Sequence, residues 1–255
     1  CSIVAKKLNI KVAHVEAGIR SYDMTMPEEI NRMVTDSITD YFFTTTRWAS
    51  SNLVKAGIED SRIYLVGNVM IDTLLANIDR FIKPAIYDEL GLQEKGYMML
   101  TLHRPANVDE TNHLKALMTE IVQNAKGLPI IFPIHPRTAK LFAELDIETP
   151  NLHIVSPMGY LEFNYMVKRA LAVVTDSGGI TEETTVMSVP CITLRDNTER
   201  PETCTVGTNE LIGTDPAAVK PALDILFAGE WKKGAIPALW DGHTAERIVD
   251  ILLTL

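Results

Sequence analysis

The chain contains 255 residues, 46% of them hydrophobic and 22% charged, which is typical of a globular protein with a sizeable core. Lys and Arg number 24 against 33 Asp and Glu, and the net charge of −9 argues against a protein that coats nucleic acid. An anionic ligand is not excluded, because local Arg, His and backbone N–H groups bind phosphate even within an acidic protein. No apolar run approaches the ~20 residues of a membrane span, and no secretory signal peptide is visible.

Signatures of metals and cofactors are missing from the sequence. The three cysteines, Cys1, Cys191 and Cys204, have no metal-ligand spacing, and the six histidines include no H-E-x-x-H pair, so we expect no metal. A nicotinamide or flavin cofactor has no support either, because no G-x-G-x-x-G motif is present. The cysteine content fits a reducing compartment, and we expect a cytoplasmic protein without a cofactor.

Short apolar runs alternate with amphipathic segments along the chain. Helical patterns separate the runs, with one helix opening at Pro27 and a last one from Thr244 to Leu255. This βαβα order predicts an α/β fold with parallel sheets and a domain boundary near Gly67 and Asn68. The predicted strands lie within residues 12–18, 41–46, 63–68, 97–103, 128–135, 152–157, 170–176 and 190–195.

Polar, titratable residues follow several of these predicted strands. Ligands of parallel sheets bind beyond the carboxyl ends of the strands, so we expect one shared cleft. The residues at these positions are His14, Glu16, His103, Arg104, His135, Asp176 and Ser177.

The segment TDSGGITEE combines a strand end, two glycines and a helix start. Glycines let backbone N–H groups approach a ligand closely, and a helix N-terminus attracts phosphate. We therefore interpret Ser177, Gly178 and Gly179 as a phosphate site, and Glu183 as a partner for the paired hydroxyls of a ribose. The alternative is a tight turn that uses glycine only for its backbone angles.

Two further segments, TLHRPANVD and PIHPRT, each place a histidine and an arginine after a strand. Arg104 and Arg137 offer planar, bidentate donation to phosphate, and His103 and His135 can donate or carry a proton near neutral pH. Each histidine could instead be hydrogen-bonded within the fold, with its arginine on the surface. The repetition of the pattern favours a functional role.

The segment HVEAGIRSYDMTMPEEINR contains carboxylates at a strand end and at a helix start. Glu16 and Glu28 could be brought to one cleft by the loop between them and act as an acid/base pair. Glu28 and Glu29 could also simply complement the helix dipole, an explanation that suits Glu16 less well. The charged segment RDNTERPETCTVGT, with Arg195 and Arg200, predicts by itself only a solvated loop.

Six segments, in this order and spacing, resemble the non-hydrolysing UDP-N-acetylglucosamine 2-epimerases. They are HVEAGIRS…MPEEINR, GN-x-x-ID, LHRPANVD, PIHP, TDSGGI-x-EE and LRD-x-TERPE, and they cover essentially the whole chain. That family has the GT-B plan of two Rossmann-like domains with a cleft between them and a C-terminal helix that crosses back. The resemblance implies an N-terminal domain remainder at 1–68, a UDP-binding Rossmann-like domain at 69–240, and a helix at 241–255 that packs on the first domain.

The resemblance also implies a reaction. UDP is eliminated across carbons 1 and 2 of UDP-N-acetylglucosamine to give a glycal, and re-addition after the carbon 2 proton returns to the opposite face gives UDP-N-acetylmannosamine. This chemistry needs acid/base groups near carbon 2 and cationic or N–H donors for the leaving diphosphate. It further implies a role in cell-envelope polysaccharide biosynthesis, UDP-N-acetylglucosamine and UDP as partners, and a homodimer in the full-length form.

The family's catalytic residues fall on Glu16, Glu28 and His103 of this sequence. Its substrate-binding residues fall on Arg104, Phe163, Ser177, Gly178, Gly179, Glu183 and Arg200. Ser177 to Gly179 resemble the diphosphate cradle, Glu183 the ribose clamp, Arg200 a UDP contact, and Phe163 an aromatic of the uracil pocket. His135 is similar to a residue that joins an allosteric second UDP-sugar site in bacterial members.

The family has a long segment before HVEAG that holds the first strands, a glycine-rich phosphate loop and another catalytic Asp. We therefore expect an incomplete first domain, and a chain that binds UDP but is impaired in catalysis. Three alternatives stay open at this point: a hydrolysing UDP-N-acetylglucosamine 2-epimerase, a GT-B glycosyltransferase, and a UDP-sugar-binding fragment without catalysis.

Overall fold

A computed structural model describes residues 1–134, 142 and 150–255, and the chain divides into two compact units. The first unit comprises Cys1–Ala76, Glu199–Glu202 and Ile236–Leu255. The second comprises Asn77–Thr198 and Thr203–Ala235. The domain limits drawn from the sequence stay predictions.

The first unit contains a parallel sheet of three strands in the order β1-β2-β3. These strands are β1 (Ala13–Val15), β2 (Tyr41–Thr44) and β3 (Ile63–Leu65). Its core includes Phe42 of β2, which packs against Leu53 and Ala17. The helices of this unit are Ser2–Lys7, Pro27–Ser37, Arg47–Lys55, Val69–Asn77 and Thr244–Leu252, with a 3₁₀ turn at Asp60–Arg62.

The GN-x-x-ID segment, residues 67–72, contacts the helix Thr244–Leu252 and the residues just before it within the first unit. Gly67 has φ +105°, and a Cβ there would lie 2.2 Å from the carbonyl oxygen of Leu239, so only glycine permits this approach. The carboxylate of Asp72 accepts the backbone amides of Thr244 at 3.1 Å and Ala245 at 2.7 Å. Asp72 therefore satisfies N–H groups at the start of the helix Thr244–Leu252, and the role of this segment is structural.

The described part of the second unit contains a parallel sheet of six strands in the order β6-β5-β4-β7-β8-β9. This is the 3-2-1-4-5-6 order of a Rossmann fold, and the expected fold class of Rossmann-like units with parallel sheets is confirmed. The strands are β4 (Met98–Thr101), β5 (Ile130–Pro133), β6 (Leu152–Val155), β7 (Ala172–Thr175), β8 (Cys191–Thr193) and β9 (Asn209–Leu211).

Apolar layers cover both faces of this second sheet. Because neighbouring strand residues point to opposite faces, Met98 packs with Leu117 and Leu223 on one face, and Met99 packs with Met166 on the other. Polar groups of the strands are therefore available for ligands only at the strand ends. In the described part of this unit the helices are Ala85–Glu89, Pro105–Val108, Thr111–Asn124, Tyr160–Arg169, Gly178–Val186 and Val219–Phe227. The 3₁₀ turns there are Ile78–Arg80 and Pro216–Ala218. The helix Pro201–Thr205 begins in the first unit and ends in the second.

Candidate active site

The second sheet has a topological switch point between β4 and β7. The chain runs from β4 outward to β5 and β6, then returns to the other side of β4 to form β7. In open parallel sheets, ligands bind outside the carboxyl ends of the strands at such a point. His103 and Arg104 follow β4, and Asp176 and Ser177 follow β7, so four of the polar residues singled out in the sequence lie here.

Asp176 anchors the turn that follows β4. Its carboxylate accepts hydrogen bonds from the backbone amides of His103 at 3.0 Å and Arg104 at 2.9 Å, and from Nδ2 of Asn107 at 3.1 Å. Nδ1 of His103 lies 2.9 Å from the same carboxylate. The His103 side chain is 60% exposed, whereas that of Asp176 is fully buried. The aspartate thus fixes the imidazole ring and leaves Nε2 as the nitrogen that can reach a ligand.

Asp176 favours its ionised form in spite of its burial. Burial is the largest influence and raises the pKa of this carboxyl, but hydrogen bonds from His103, Arg104 and Asn107 outweigh it, and the net pKa is lowered. The carboxylate beside Nδ1 favours the tautomer that carries its proton on Nδ1, and this tautomer leaves the lone pair of Nε2 free. His103 can therefore accept and return a proton at Nε2.

The helix Gly178–Val186 begins directly after β7, with Ser177 as its N-cap residue. The Ser177 side chain makes no capping hydrogen bond. Neither Gly178 nor Gly179 has a positive φ, so the turn does not need glycine for its backbone angles. A Cβ on Gly179 would meet no atom within 4 Å, which leaves open space beside the helix N-terminus. This arrangement favours anion binding over the alternative of a glycine turn.

Glu183 lies further along the same helix and is buried. Nδ2 of Asn164 lies 3.5 Å from its Oε1, and the hydroxyl of Tyr160 also donates to its carboxylate. Burial raises the pKa of Glu183 above its ordinary value, and these two hydrogen bonds only partly offset the effect. Phe163 shares a helix with Tyr160 and Asn164, and its half-buried ring packs against the apolar layer around Met99.

Glu16 follows β1 in the first unit, in a backbone conformation that is rare for a residue other than glycine. Its φ of +65° lies in the left-handed region, and such strain clusters at functional sites. Oε2 of Glu16 lies 3.4 Å from Nη2 of Arg200, a residue distant in the sequence. The structure therefore brings together two predicted site residues, one expected to be catalytic and the other expected to contact UDP.

Glu28 and Glu29 are adjacent in the sequence but differ in their exposure to solvent. Glu28 is exposed in the first turn of the helix Pro27–Ser37. Glu29 is fully buried, and its carboxylate accepts the backbone amides of Ser21 and Tyr22. The helix-dipole explanation therefore does not account for Glu29, which holds part of the preceding loop.

The solvated loop predicted around Arg195 and Arg200 is wrong. Arg195, Glu199, Arg200 and Glu202 are all at least 93% buried. Nη2 of Arg32, from the helix Pro27–Ser37, lies 3.8 Å from Oε1 of Glu199. Glu199 and Arg200 are therefore buried beside charged groups of the opposite sign, Arg32 and Glu16 respectively.

The predicted site residues fall into two groups. Glu16, Glu28 and Arg200 belong to the first unit. The second unit contains His103, Arg104, Phe163, Ser177, Gly178, Gly179 and Glu183. His135 and Arg137 lie outside the described residues.

Residues 1–134, 142 and 150–255 contain neither a cluster of metal ligands nor a membrane-spanning helix. Within those ranges no group of three or more His, Cys, Asp or Glu side chains could hold a metal ion. No helix in the same ranges is long and apolar enough to cross a membrane.

Comparison with known proteins identifies the family of this chain. The family model described as UDP-N-acetylglucosamine 2-epimerase matches residues 1–253. The chain belongs to this epimerase family. The family resemblance and the enzyme class expected from the sequence motifs are therefore confirmed.

The similarity to individual family members extends over 83–100% of the chain. The UDP-N-acetylglucosamine 2-epimerase of Methanocaldococcus jannaschii is 42% identical, over 98% of this chain and 71% of that protein. Its crystal structure in complex with UDP-GlcNAc and UDP matches with a TM-score of 0.86 and 41% identity, over 100% of this chain and 72% of that one. The UDP-2,3-diacetamido-2,3-dideoxy-D-glucuronate 2-epimerase of Pseudomonas aeruginosa is 38% identical, over 83% of this chain and 59% of that protein.

Sequence reasoning missed the residues that hold these groups in place. Asp176 was singled out as a strand-end residue but not as the anchor of His103. Asp36 and Glu29 hold the loop around Glu16, while Tyr160 bonds to Glu183. A strand-end position was the one available signal for Asp176, because a buried carboxylate and a surface carboxylate look alike in a sequence.

Proposed function

We propose that this protein epimerises carbon 2 of UDP-N-acetylglucosamine and so interconverts it with UDP-N-acetylmannosamine. The observation that carries the proposal is the imidazole of His103, held by buried Asp176 beside an open helix N-terminus at the switch point of a Rossmann fold. Membership of the epimerase family supports the same reaction. The relative from M. jannaschii has been crystallised with UDP-GlcNAc and UDP.

The second unit is proposed to bind the UDP part of the substrate. The N-terminus of the helix Gly178–Val186 and the hydroxyl of Ser177 would donate to the diphosphate, with Arg104 as a cationic neighbour. Glu183 would accept hydrogen bonds from the ribose hydroxyls, and the ring of Phe163 would lie against uracil. The diphosphate gains negative charge as it leaves carbon 1, so these donors stabilise the departing group more than the bound substrate, which is the requirement of an elimination.

The first unit is proposed to exchange the proton at carbon 2, through Glu16 and Glu28. A carboxylate removes this proton, the bond between carbon 1 and the diphosphate oxygen breaks, and UDP leaves with the electron pair. The resulting glycal takes up a proton at carbon 2 on the opposite face while UDP adds back at carbon 1. His103 would exchange a proton at Nε2 with a ring hydroxyl or with the departing diphosphate.

The test is an NMR time course of UDP-N-acetylglucosamine with the protein in D₂O. We expect UDP-N-acetylmannosamine that carries deuterium at carbon 2, together with deuterium in the remaining substrate and no accumulation of free sugar. Free N-acetylmannosamine and UDP in equal amounts would replace the proposal with a hydrolysing epimerase. Sugar transfer that depends on an added acceptor would replace it with a glycosyltransferase, and UDP binding without turnover would reduce it to a binding protein.

Substrate identity needs its own comparison, because the family includes an enzyme named for a diacetamido-glucuronate sugar. Parallel reactions with UDP-N-acetylglucosamine and with that sugar nucleotide would give two kcat/KM values. We expect the larger value for UDP-N-acetylglucosamine, and a larger value for the glucuronate would change the proposed substrate but not the reaction.

The same proposal has three further parts. The protein acts in the cytoplasm, it supplies N-acetylmannosamine for cell-envelope polysaccharides, and it forms a homodimer. Support for all three comes from the family resemblance. Cell fractionation and light scattering of the purified protein would test the location and the dimer, and a membrane-bound or monomeric enzyme would remove that part of the proposal.

A further inference from the structure

The loop from Glu16 to Tyr22 adopts a strained backbone. Glu16 has φ +65°, Gly18 has φ +75° and Tyr22 has φ +60°. A residue other than glycine is strained in this region, so the conformation persists only where surrounding groups hold it. We infer that two buried carboxylates, Asp36 and Glu29, are positioning residues that hold this loop and thereby place Glu16 for proton transfer. The inference rests on the proposed function.

Asp36 holds the part of the loop around Glu16. It is 4% exposed, and its carboxylate lies 2.6 Å from Nδ1 of His14, 3.3 Å from the backbone amide of Gly18 and 2.6 Å from Nη2 of Arg20. These partners lie on both sides of Glu16 in the sequence. A rotation of the backbone at Glu16 would therefore break at least one bond to Asp36.

Glu29 holds the other end of the same loop. It is fully buried and accepts the backbone amides of Ser21 at 3.0 Å and Tyr22 at 3.1 Å, together with the Ser21 hydroxyl at 3.2 Å. Nη1 of Arg32 lies 3.3 Å from this carboxylate and balances its charge. Since Tyr22 is itself in the left-handed region, Glu29 acts at a second point of strain.

The two carboxylates and Glu28 lie on one helix, Pro27–Ser37. Glu29 and Asp36 are separated by about two turns and therefore share a face, which is the face turned to the loop. Glu28 precedes Glu29 and is exposed. One helix thus carries Glu28, which is a proposed catalytic carboxylate, together with the two carboxylates that hold the loop of Glu16. The distance between Glu16 and Glu28 is set through this helix.

A purely structural role would require only that these groups keep the unit folded. Asp40 provides a matched control, because its carboxylate also accepts from a cationic side chain (Lys6 Nζ, 2.8 Å) and a backbone amide (Val12, 2.7 Å). Both of these partners lie outside the loop from Glu16 to Tyr22. The test variants are Asp36→Asn and Glu29→Gln, which preserve shape and remove the charge. The control variant is Asp40→Asn.

The first measurement is amide hydrogen exchange, with the thermal midpoint recorded on the same samples. We expect faster exchange at the amides of Gly18, Ser21 and Tyr22 in the two test variants, and unchanged exchange there in Asp40→Asn. Unchanged exchange in Asp36→Asn and Glu29→Gln would overturn the inference, because the carboxylates would then not be holding the loop.

The second measurement separates positioning from support of the fold. With UDP-N-acetylglucosamine deuterated at carbon 2, we expect kcat to fall about ten- to a hundredfold in the test variants while KM changes little. The deuterium isotope effect on kcat should rise, because a misplaced Glu16 slows proton transfer more than binding or release. Asp40→Asn should keep the kcat and the isotope effect of the unaltered protein.

Two outcomes distinguish failure of this inference from failure of the proposed function. The positioning role is wrong if the unaltered protein epimerises its substrate and the test variants retain full kcat. It is also wrong if kcat falls only in step with a lower thermal midpoint while the isotope effect stays unchanged. If the unaltered protein does not epimerise, the proposed function is wrong and the inference is overturned with it.

Discussion

Replacing Asp176 by Asn changes one atom of a buried side chain but alters a network of four donors. The carboxylate accepts the amides of His103 and Arg104 and Nδ2 of Asn107, and it lies against Nδ1 of His103. An amide oxygen accepts from at most two donors, so about two donors lose their partner. At ~1–3 kcal/mol for each buried donor left unpaired, and with His103 partly in water, we expect a loss of about 2–4 kcal/mol.

The assay is urea denaturation at neutral pH, followed by circular dichroism, with the turnover of UDP-N-acetylglucosamine measured on the same protein. Because the pKa of Asp176 is lowered in the folded state, its stabilisation is present above the ordinary pKa of aspartate and is lost as the pH falls through the folded-state pKa. The difference between Asp176→Asn and the unaltered protein should therefore shrink in acid. Turnover should fall because His103 loses its orientation.

The control for this prediction is Asp196→Asn. Asp196 is exposed in the same unit and accepts the amide and hydroxyl of Thr214, so its replacement should cost less than about 1 kcal/mol. Equal losses in the two variants, or an Asp176→Asn protein as stable as the unaltered one, would refute the argument from unpaired donors.

Three further predictions follow from individual contacts. Gly18→Ala should destabilise the protein more than Gly57→Ala. Both glycines have a positive φ, but only a Cβ on Gly18 would meet another atom, the carbonyl oxygen of Ala49 at 2.3 Å. Similar thermal midpoints for the two variants would contradict this prediction. Gly179→Ala should maintain or raise the thermal midpoint, because a Cβ there meets no atom and alanine favours the helix. It should weaken UDP binding about tenfold in calorimetry (~1.4 kcal/mol), and unchanged affinity would remove the glycine from the proposed cradle. Glu183→Gln should stabilise the protein at pH 7 but not in acid. Burial raises the pKa of Glu183 in the folded state, so ionisation of this carboxyl destabilises the fold once the pH rises above the ordinary pKa of glutamate. The variant should also bind UDP more weakly, and a loss of stability at pH 7 would contradict the prediction.

The strands of both sheets could be predicted because their apolar runs are short and are bounded by polar residues, Gly or Pro. All eight predicted runs contain a strand of the structure. The strand Asn209–Leu211 could not be predicted, since it contains a single apolar residue and forms through pairing with β8, where Asn209 lies opposite Cys191. Such pairing depends on tertiary structure and leaves no periodicity in three residues.

The candidate site was predictable where chemistry follows strand ends. His103 follows β4 and Ser177 follows β7, and these two strands are paired in parallel. Parallel strands end at the same edge of the sheet, so the strand positions alone predict that the two residues are neighbours. The supporting carboxylates were not predictable in the same way. Glu29 looks like a helix-dipole partner in sequence, and its burial arises from a loop that closes over it. Likewise, the burial of Glu199 depends on Arg32, far away in the chain.

The path of the chain through its two units has a consequence for how each unit tolerates a cut. The second unit includes no residue after Ala235, whereas the first unit includes Ile236–Leu255. Without Ile236–Leu255, Gly67 lacks its contact with Leu239, and Asp72 lacks the amides of Thr244 and Ala245. A cut after Ala235 should therefore loosen the first unit, most of which is distant in sequence from the cut, and spare the second unit, which adjoins it.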